Sequence, residues 1–319
     1  VSNGVKAAMT TDEKLAAILA AVQTDPGNRG LARDQHHNLF SACPDDFATA
    51  CRSIAGRARP ILGVVTGFII PSAEPPRFET DGPLGTVFLA RALFRLGISL
   101  CCLTDLACSG SLDAGIGVSG IPDRRVVGNV PHDDALHGPW VRGVNGELGP
   151  FSHVIALERV GPATNGRCHT MRGRDITELM LAAHHLFERS DGRELGWATI
   201  GIGDGGNEIG MGKIPHDTVV KNIPNGDLIH CRVPTDHLIV AGVSNWGAYA
   251  LAAGVLALHG VRPPDDLFDP DREREILDVM VREGPLVDGV TGKQTATVDG
   301  LTWDEYARPL ILIREILEA

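Results

Sequence analysis

Two acids four residues apart, Asp204 and Glu208, sit in the run Gly203-Asp204-Gly205-Gly206-Asn207-Glu208-Ile209-Gly210-Met211-Gly212-Lys213. On one helical turn their carboxylates would share a face. There they could work as acid and base or hold a divalent metal. The plainer alternative is a turn whose Asp and Asn side chains cap local backbone. Five glycines in the run point to left-handed backbone or to a ligand lying against the main chain. The apolar stretch 198–202 before it reads as a buried strand, and open α/β sheets place ligands at the carboxyl ends of such strands.

Other patterns narrow the chemistry. Gly201-x-Gly203-x-x-Gly206 fits the dinucleotide fingerprint literally. That fingerprint opens a helix, and Gly210, Gly212 and Pro215 forbid a long one here, so nicotinamide or flavin binding is set aside. A P-loop fails because Asn207 stands where the glycine before Lys213 should be. Arg159, Arg167, Arg172 and Arg174 cluster near one loop, as surface charge or as a clamp for a carboxylate. Asp81 precedes a proline-led helix; an acid there suits an ammonium or a metal better than a phosphate. His132, Asp133, Asp134 and His137 are metal-ligand types at a spacing that fits no standard zinc pattern. Cys101 and Cys102 read as inert core thiols.

The elements that must carry these residues alternate. Helices are expected over 11–22 and 45–58, then a strand over 61–68 and a helix over 83–96 that Thr80 or Asp81 would cap. Strands follow at 97–105 and 153–157, with 108–150 between them as an insertion or lid. Asp175 with Glu178 resembles a capping box. Behind it a helix would place Ile176, Leu179, Met180, Ala183 and Phe187 on one stripe. Strands at 197–202 and 236–243, a buried helix from Ser244 and a short strand from Leu286 complete the order. Thr302 and Glu305 would cap a last helix. This alternation predicts an α/β fold, a mainly parallel doubly wound sheet with helices on both faces over residues 61–319. A helical preface occupies residues 1–60.

Composition excludes several partners. The net charge is −11, from 29 Lys and Arg against 40 Asp and Glu. An acidic chain without a basic block is not expected to bind nucleic acid through phosphates. Apolar runs are too short for a membrane span. Seven cysteines without a C-x-x-C pair, and no signal-peptide pattern at the start, suit a reducing cytoplasm.

Taken together, Thr66-Gly67-Phe68 with Ile70-Pro71, the run Glu79 to Gly85, Glu158-Arg159, Met171-Arg172-Gly173 and Gly201 to Lys213 resemble the D-glutamate cyclase C-terminal domain family. Val243 to Gly247 and Asp288 to Gly292 add to the likeness, which covers roughly residues 30–319. The resemblance implies closure of D-glutamate to 5-oxo-D-proline with loss of water. In the animal enzyme this domain follows a hydro-lyase-like one, absent from these residues. A separate hydro-lyase-like partner protein or a homo-oligomer is therefore expected beside the stand-alone form.

Such a cyclisation needs a deprotonated α-amine, an electrophilic γ-carboxyl and a protonated leaving hydroxyl. Asp204 or Glu208 is the expected acid or base. The N–H groups of Gly205 and Gly206 and the Asn207 amide are expected oxyanion donors. Arg159 or Arg172 would clamp the α-carboxylate, and Asp81 would receive the ammonium. Glu158, Asn245 and Lys293, in or beside the family-like motifs, complete the expected substrate contacts. No redox cofactor is required; a divalent metal between Asp81, Asp204 and Glu208 could polarise the γ-carboxyl. Two other functions stay open: a non-catalytic domain binding an amino acid or small carboxylate, and a metal-dependent hydrolase of a small metabolite.

Overall fold

The structure, a computed structural model, describes residues 8–121, 126–128, 144, 149–188 and 195–319. Helices α1 (Thr11–Val22) and α2 (Asp46–Ala55) come first. Thr10 closes a capping box with Glu13 at the start of α1. Strand β1 (Ile61–Thr66) leads into the short antiparallel pair β2 (Ile69–Ile70) and β3 (Arg77–Phe78). Helix α3 (Pro83–Phe94), β4 (Ser99–Thr104), α4 (Leu106–Val118) and β5 (Val126–Gly128) follow. Then come β6 (His153–Leu157), β7 (Ala198–Gly203), α5 (His216–Asn222), α6 (Gly226–Ile229) and β8 (His237–Val240). Helices α7 (Ser244–His259), α8 (Pro270–Glu283) and α9 (Trp303–Glu318) end the chain. The expected box of Thr302 and Glu305 caps α9.

Six strands pair in the order β5-β4-β1-β6-β7-β8, and every neighbouring pair is parallel. The chain winds outward from β1 to β5, then returns to β6 and winds the other way. This is the doubly wound sheet expected from the alternation of elements. Between β1 and β6 the winding reverses, and such a switch point opens a crevice at the strand carboxyl ends.

Alternate residues along each strand enter two cores. Leu62, Val64, Ile155, Leu157, Ile200 and Ile202 face the side that holds α3 and α7. Val65, Leu103, Val154 and Ala156 face the other side, where Ile209, Met211, Ile214 and Val219 meet them. The two covers differ in kind. Long helices fill the first, with α7 buried on all sides from Ser244 to Leu256 against α1, α2 and α3. The second is closed by loops, 3-10 turns and the short helices α5 and α6.

Five local expectations give way. The helix over 176–187 is instead two 3-10 turns, Thr177–Leu179 and Ala183–Leu186, and Leu179 is exposed. Asp175 turns its carboxylate to the Thr177 N–H and hydroxyl and to Arg167, not to a capping box. Leu181, midway, gives its N–H to Asp105 and its carbonyl to Arg159, which removes it from any helical ladder. The stretch from residue 108 begins in α4 and includes β5, rather than being an insertion throughout; His132, Asp133, Asp134 and His137 lie outside the described residues. From Leu286 there is no strand, only a bridge between Val287 and Glu79. Beyond it Asp288 folds the loop by accepting from Val290 N, Thr291 N, Thr297 Oγ1 and Gly300 N. Finally, α3 starts from Gly82 without a cap from Thr80 or Asp81.

Candidate active site

A cavity of about 530 Å3 opens at the switch point. Phe68 reaches it from beyond β1, Glu158 from the end of β6 and Asp204 from the end of β7. Its polar wall holds six acids, Glu79, Asp81, Glu158, Asp204, Glu208 and Asp299, with Arg29, Arg172 and Arg174. All six acids are buried.

The glycine run after β7 is a folded-back loop, not a helical turn. Asp204 N and Gly206 N donate to the two oxygens of Glu208 at 2.9 and 2.7 Å. The return of the loop crosses its own strand. A Cβ on Gly201 would lie 2.7 Å from the Gly210 Cα, and Gly210 has φ of 108°. Only glycine permits this crossing. With those N–H groups turned onto Glu208, Gly206 does not act as the expected oxyanion donor. Neither Gly205 nor Gly206 lines the cavity, whereas Asp204, Asn207 and Glu208 do. Asn207 is anchored by Nδ2 donating to the His169 carbonyl at 2.8 Å.

Asp81 and Asn245 cap each other's helices. Asp81 accepts from Ser244 N at 2.9 Å and Asn245 N at 2.7 Å, the first turn of α7. Asn245 Oδ1 accepts from Gly82 N at 2.8 Å and Gly85 N at 2.7 Å, the first turn of α3. Asp81 still faces the cavity, but Asn245 is buried beside it and outside the lining.

The arginines separate by role. Arg159 is fully buried, paired with Asp105 and donating to the carbonyls of Gly67 at 3.0 Å and Leu181 at 2.7 Å. It does not line the cavity and cannot be the expected clamp there. Arg172 does line it and pairs with no acid among the described residues. Arg174 lines it too and donates to the Pro71 carbonyl at 3.0 Å. Lys293 is exposed outside the lining.

Arg29 was not expected. Its guanidinium bridges Asp204 and Asp299, each at 2.8 Å, and donates to the Gly242 carbonyl at 3.0 Å. Asp25 shapes the turn that delivers it, accepting from the N–H groups of Arg29, Gly30 and Leu31. Asp299 and Glu79 are the other unforeseen lining acids. Glu79 Oε2 lies where a Cβ on Gly289 would be, 1.8 Å away. The available signals were local: turn-forming residues Asp25-Pro26-Gly27-Asn28 before Arg29, and glycine after Asp299.

Backbone strain gathers at the same place. Glu158 and Asp299 have φ of 46° and 56° without being glycine. Such conformations persist where the surrounding structure fixes them, often at functional sites.

Crowding sets the protonation states. Burial lifts Glu158 well above the usual carboxylate range, and Asp204, Glu208, Asp81 and Glu79 add to the lift. Ser244 Oγ donates to its Oε2, and no ion-pair partner reaches it among the described residues. Burial raises Asp204 as well, but Arg29 draws it back toward the ionised form. Asp81 rises to about 7, first from burial and then from Asp299, against the pull of the two backbone N–H groups. Burial and Asp299 push Glu79 up too. Burial alone would favour neutral Arg29, yet Asp204 and Asp299 hold its guanidinium charged.

Donor atoms of Asp81, Asp204 and Asp299 lie within 4.8 Å of one another, as do those of Glu158, Asp204 and Glu208. Either trio is of a type that holds a hard divalent cation. The expected set of Asp81, Asp204 and Glu208 is thus divided over two trios that share Asp204.

Sequence comparison identifies the family. Residues 18–314 match the family described as D-glutamate cyclase-like, C-terminal. The mitochondrial D-glutamate cyclase of Homo sapiens is 30% identical over 323 residues, which cover 92% of this chain and 50% of that protein. The chain thus spans about half the length of the curated relative. Among the described residues, no helix is long and apolar enough to cross a membrane. A match over nearly its whole length makes the chain a member of the D-glutamate cyclase-like C-terminal family.

Proposed function

We propose that the cavity binds D-glutamate and closes it to 5-oxo-D-proline, releasing water. One observation carries the reading: Asp204, clamped by Arg29, shares a buried cavity with Glu158, which has no such cation among the described residues. Environments that separate two carboxyl groups in this way assign a base and an acid. Burial raises Asp204 and so strengthens it as a base, while the Arg29 guanidinium opposes that rise. Glu158 holds a proton.

The substrate's α-carboxylate pairs with Arg172 at the rim, and its ammonium lies among the deep acids. Asp204 takes a proton from the ammonium, freeing the nitrogen to attack the γ-carbon. Glu158 gives its proton to the departing γ-oxygen. Two ammonium protons therefore leave with that oxygen as water, relayed through carboxyl groups whose donor atoms lie within 4.8 Å. Asp81 and Glu208 hold the backbone that positions both.

Purified chain incubated with D-glutamate should form 5-oxo-D-proline above the enzyme-free rate. Glu158→Gln and Asp204→Asn should each lower the excess by about a hundredfold or more, the scale of a lost general acid or base. Folded protein with no excess would refute turnover by this half alone. Restored turnover on adding a separate hydro-lyase-like protein would then locate the missing part.

A second reading has its own observation. Asp299 Oδ2 is buried without a hydrogen-bond partner, beside Asp81 and Asp204. A divalent cation there would polarise the γ-carboxyl. Loss of activity with chelator and return with added metal would establish it; indifference to chelator would remove it.

A further inference from the structure

The cavity is roomier than free glutamate needs. At about 530 Å3 it falls in the range of roughly 300–1,000 Å3 that takes drug-sized ligands. The extra space has apolar walls. Phe68, Ile70 and Pro71 come from the segment after β1, Met171 from the turn that carries Arg172, and Val290 from the loop after Val287. These form one edge. Arg174 ties its turn to the Pro71 carbonyl, and a Cβ on Gly292 would lie 3.7 Å from Ser72 Oγ. Val290 is 48% exposed, a branched apolar side chain facing water beside a cluster of acids.

Ring closure dictates what could lie along that edge. In the product, the nitrogen is flanked by the carbon bearing the carboxylate and by the former γ-carbon. With nitrogen toward the acids and the carboxylate at Arg172, the group leaving the γ-carbon departs along the remaining wall. Hydroxide would leave that wall bare. An apolar substituent would cover it and gain the transfer free energy of its buried surface.

We infer that the site also accepts γ-amides of D-glutamate with an apolar amine, yielding 5-oxo-D-proline and the free amine. This inference rests on the cyclisation reading. The bond from the α-nitrogen to the γ-carbon forms, and the γ-carbon–amide nitrogen bond breaks. Asp204 takes one proton from the ammonium before attack, and the nitrogen gives up a second as the ring closes. Glu158 supplies one proton to the departing nitrogen and the other follows through the carboxyl groups, so the amine leaves as its ammonium. Nothing is oxidised or reduced, and the amine replaces water as the second product.

The test uses the full chain with D-glutamate and with its γ-methylamide, γ-butylamide and γ-anilide, following 5-oxoproline and free amine above enzyme-free controls. The butylamide and anilide should exceed the methylamide in kcat/KM by about tenfold or more, the usual reward for filling an apolar pocket. In Val290→Asp, a change at an exposed position, the ratio of butylamide to methylamide should fall toward one. Amide turnover with no gain from a larger amine would overturn the apolar wall. D-glutamate cyclised with no amine released from any amide would overturn the inference and leave the cyclisation reading standing. Amides cyclised without any turnover of D-glutamate would support the inference and overturn loss of water. Neither converted by folded protein would overturn both.

Discussion

At the scale of single residues, the site is a contest between burial and one cation. Arg29 sits between Asp204 and Asp299, and its charge opposes the rise that burial gives Asp204. Arg29→Gln removes the charge and leaves two buried carboxylates unmatched. Activity should fall by about a hundredfold, comparable to the loss of one preorganised electrostatic group. The pH at which the base loses its proton should rise, because the carboxylate then lacks its counter-charge. Arg29→Lys should restore part of the activity and most of the pH profile; kcat/KM measured against pH distinguishes this from a simple folding defect. Asp204, Asn207 and Glu208 were legible because they crowd one strand end. Asp81, Glu158 and Arg172 were legible because they lie in the family-like motifs or at strand ends. Arg29 and Asp299 were not, since each lies in a plain turn whose spatial neighbours no local pattern reveals. Arg159 was legible as an important cation but not in its role. Its partner Asp105 ends a different strand, and only the packing shows that the pair lies beneath the site.

Among elements, helices α3 and α7 are locked together at their N-termini. Each receives its cap from the other's flank, Asn245 for α3 and Asp81 for α7. Asn245→Ala would strand the Gly85 N–H and weaken the hold on Gly82. A loss of about 2–3 kcal/mol is expected from unsatisfied buried donors, read as a lower urea midpoint with an unchanged slope. Activity per folded molecule should also drop, because Asp81 moves with the junction. A proline-led helix after an acid was readable in the sequence, but its capping partner 160 or more positions away was not. The failed helix over 176–187 carries the same lesson. Its apolar spacing was helical, yet Asp105 and Arg159 captured the backbone of Leu181 from outside the segment.

For the molecule as a whole, alternation of strands and helices was enough to predict the doubly wound sheet. It did not reveal that one face would be covered mainly by irregular chain, because loops leave no periodic signature. The buried acids give the folded protein a distinct response to pH. Asp81 moves from an ordinary 3.8 to about 7 on folding. The folded state therefore binds more protons than the unfolded state between those values, and stability must fall as pH rises through that window. Thermal midpoints should decline from pH 5 to pH 8, and the decline should be shallower in Asp81→Asn. An equal slope in both proteins would exclude Asp81 as a contributor.

The pairing of Arg29 with Asp299 has one more consequence. A residue met early in the chain and one met late close the same cavity. On a ribosome the pocket would have no complete charge set until nearly all of the domain had emerged. Fragments cut short at either side would carry the glycine loop but not the balanced acid pair. Assembly of the buried charge set is therefore tied to the presence of both ends of the stretch from Arg29 to Asp299.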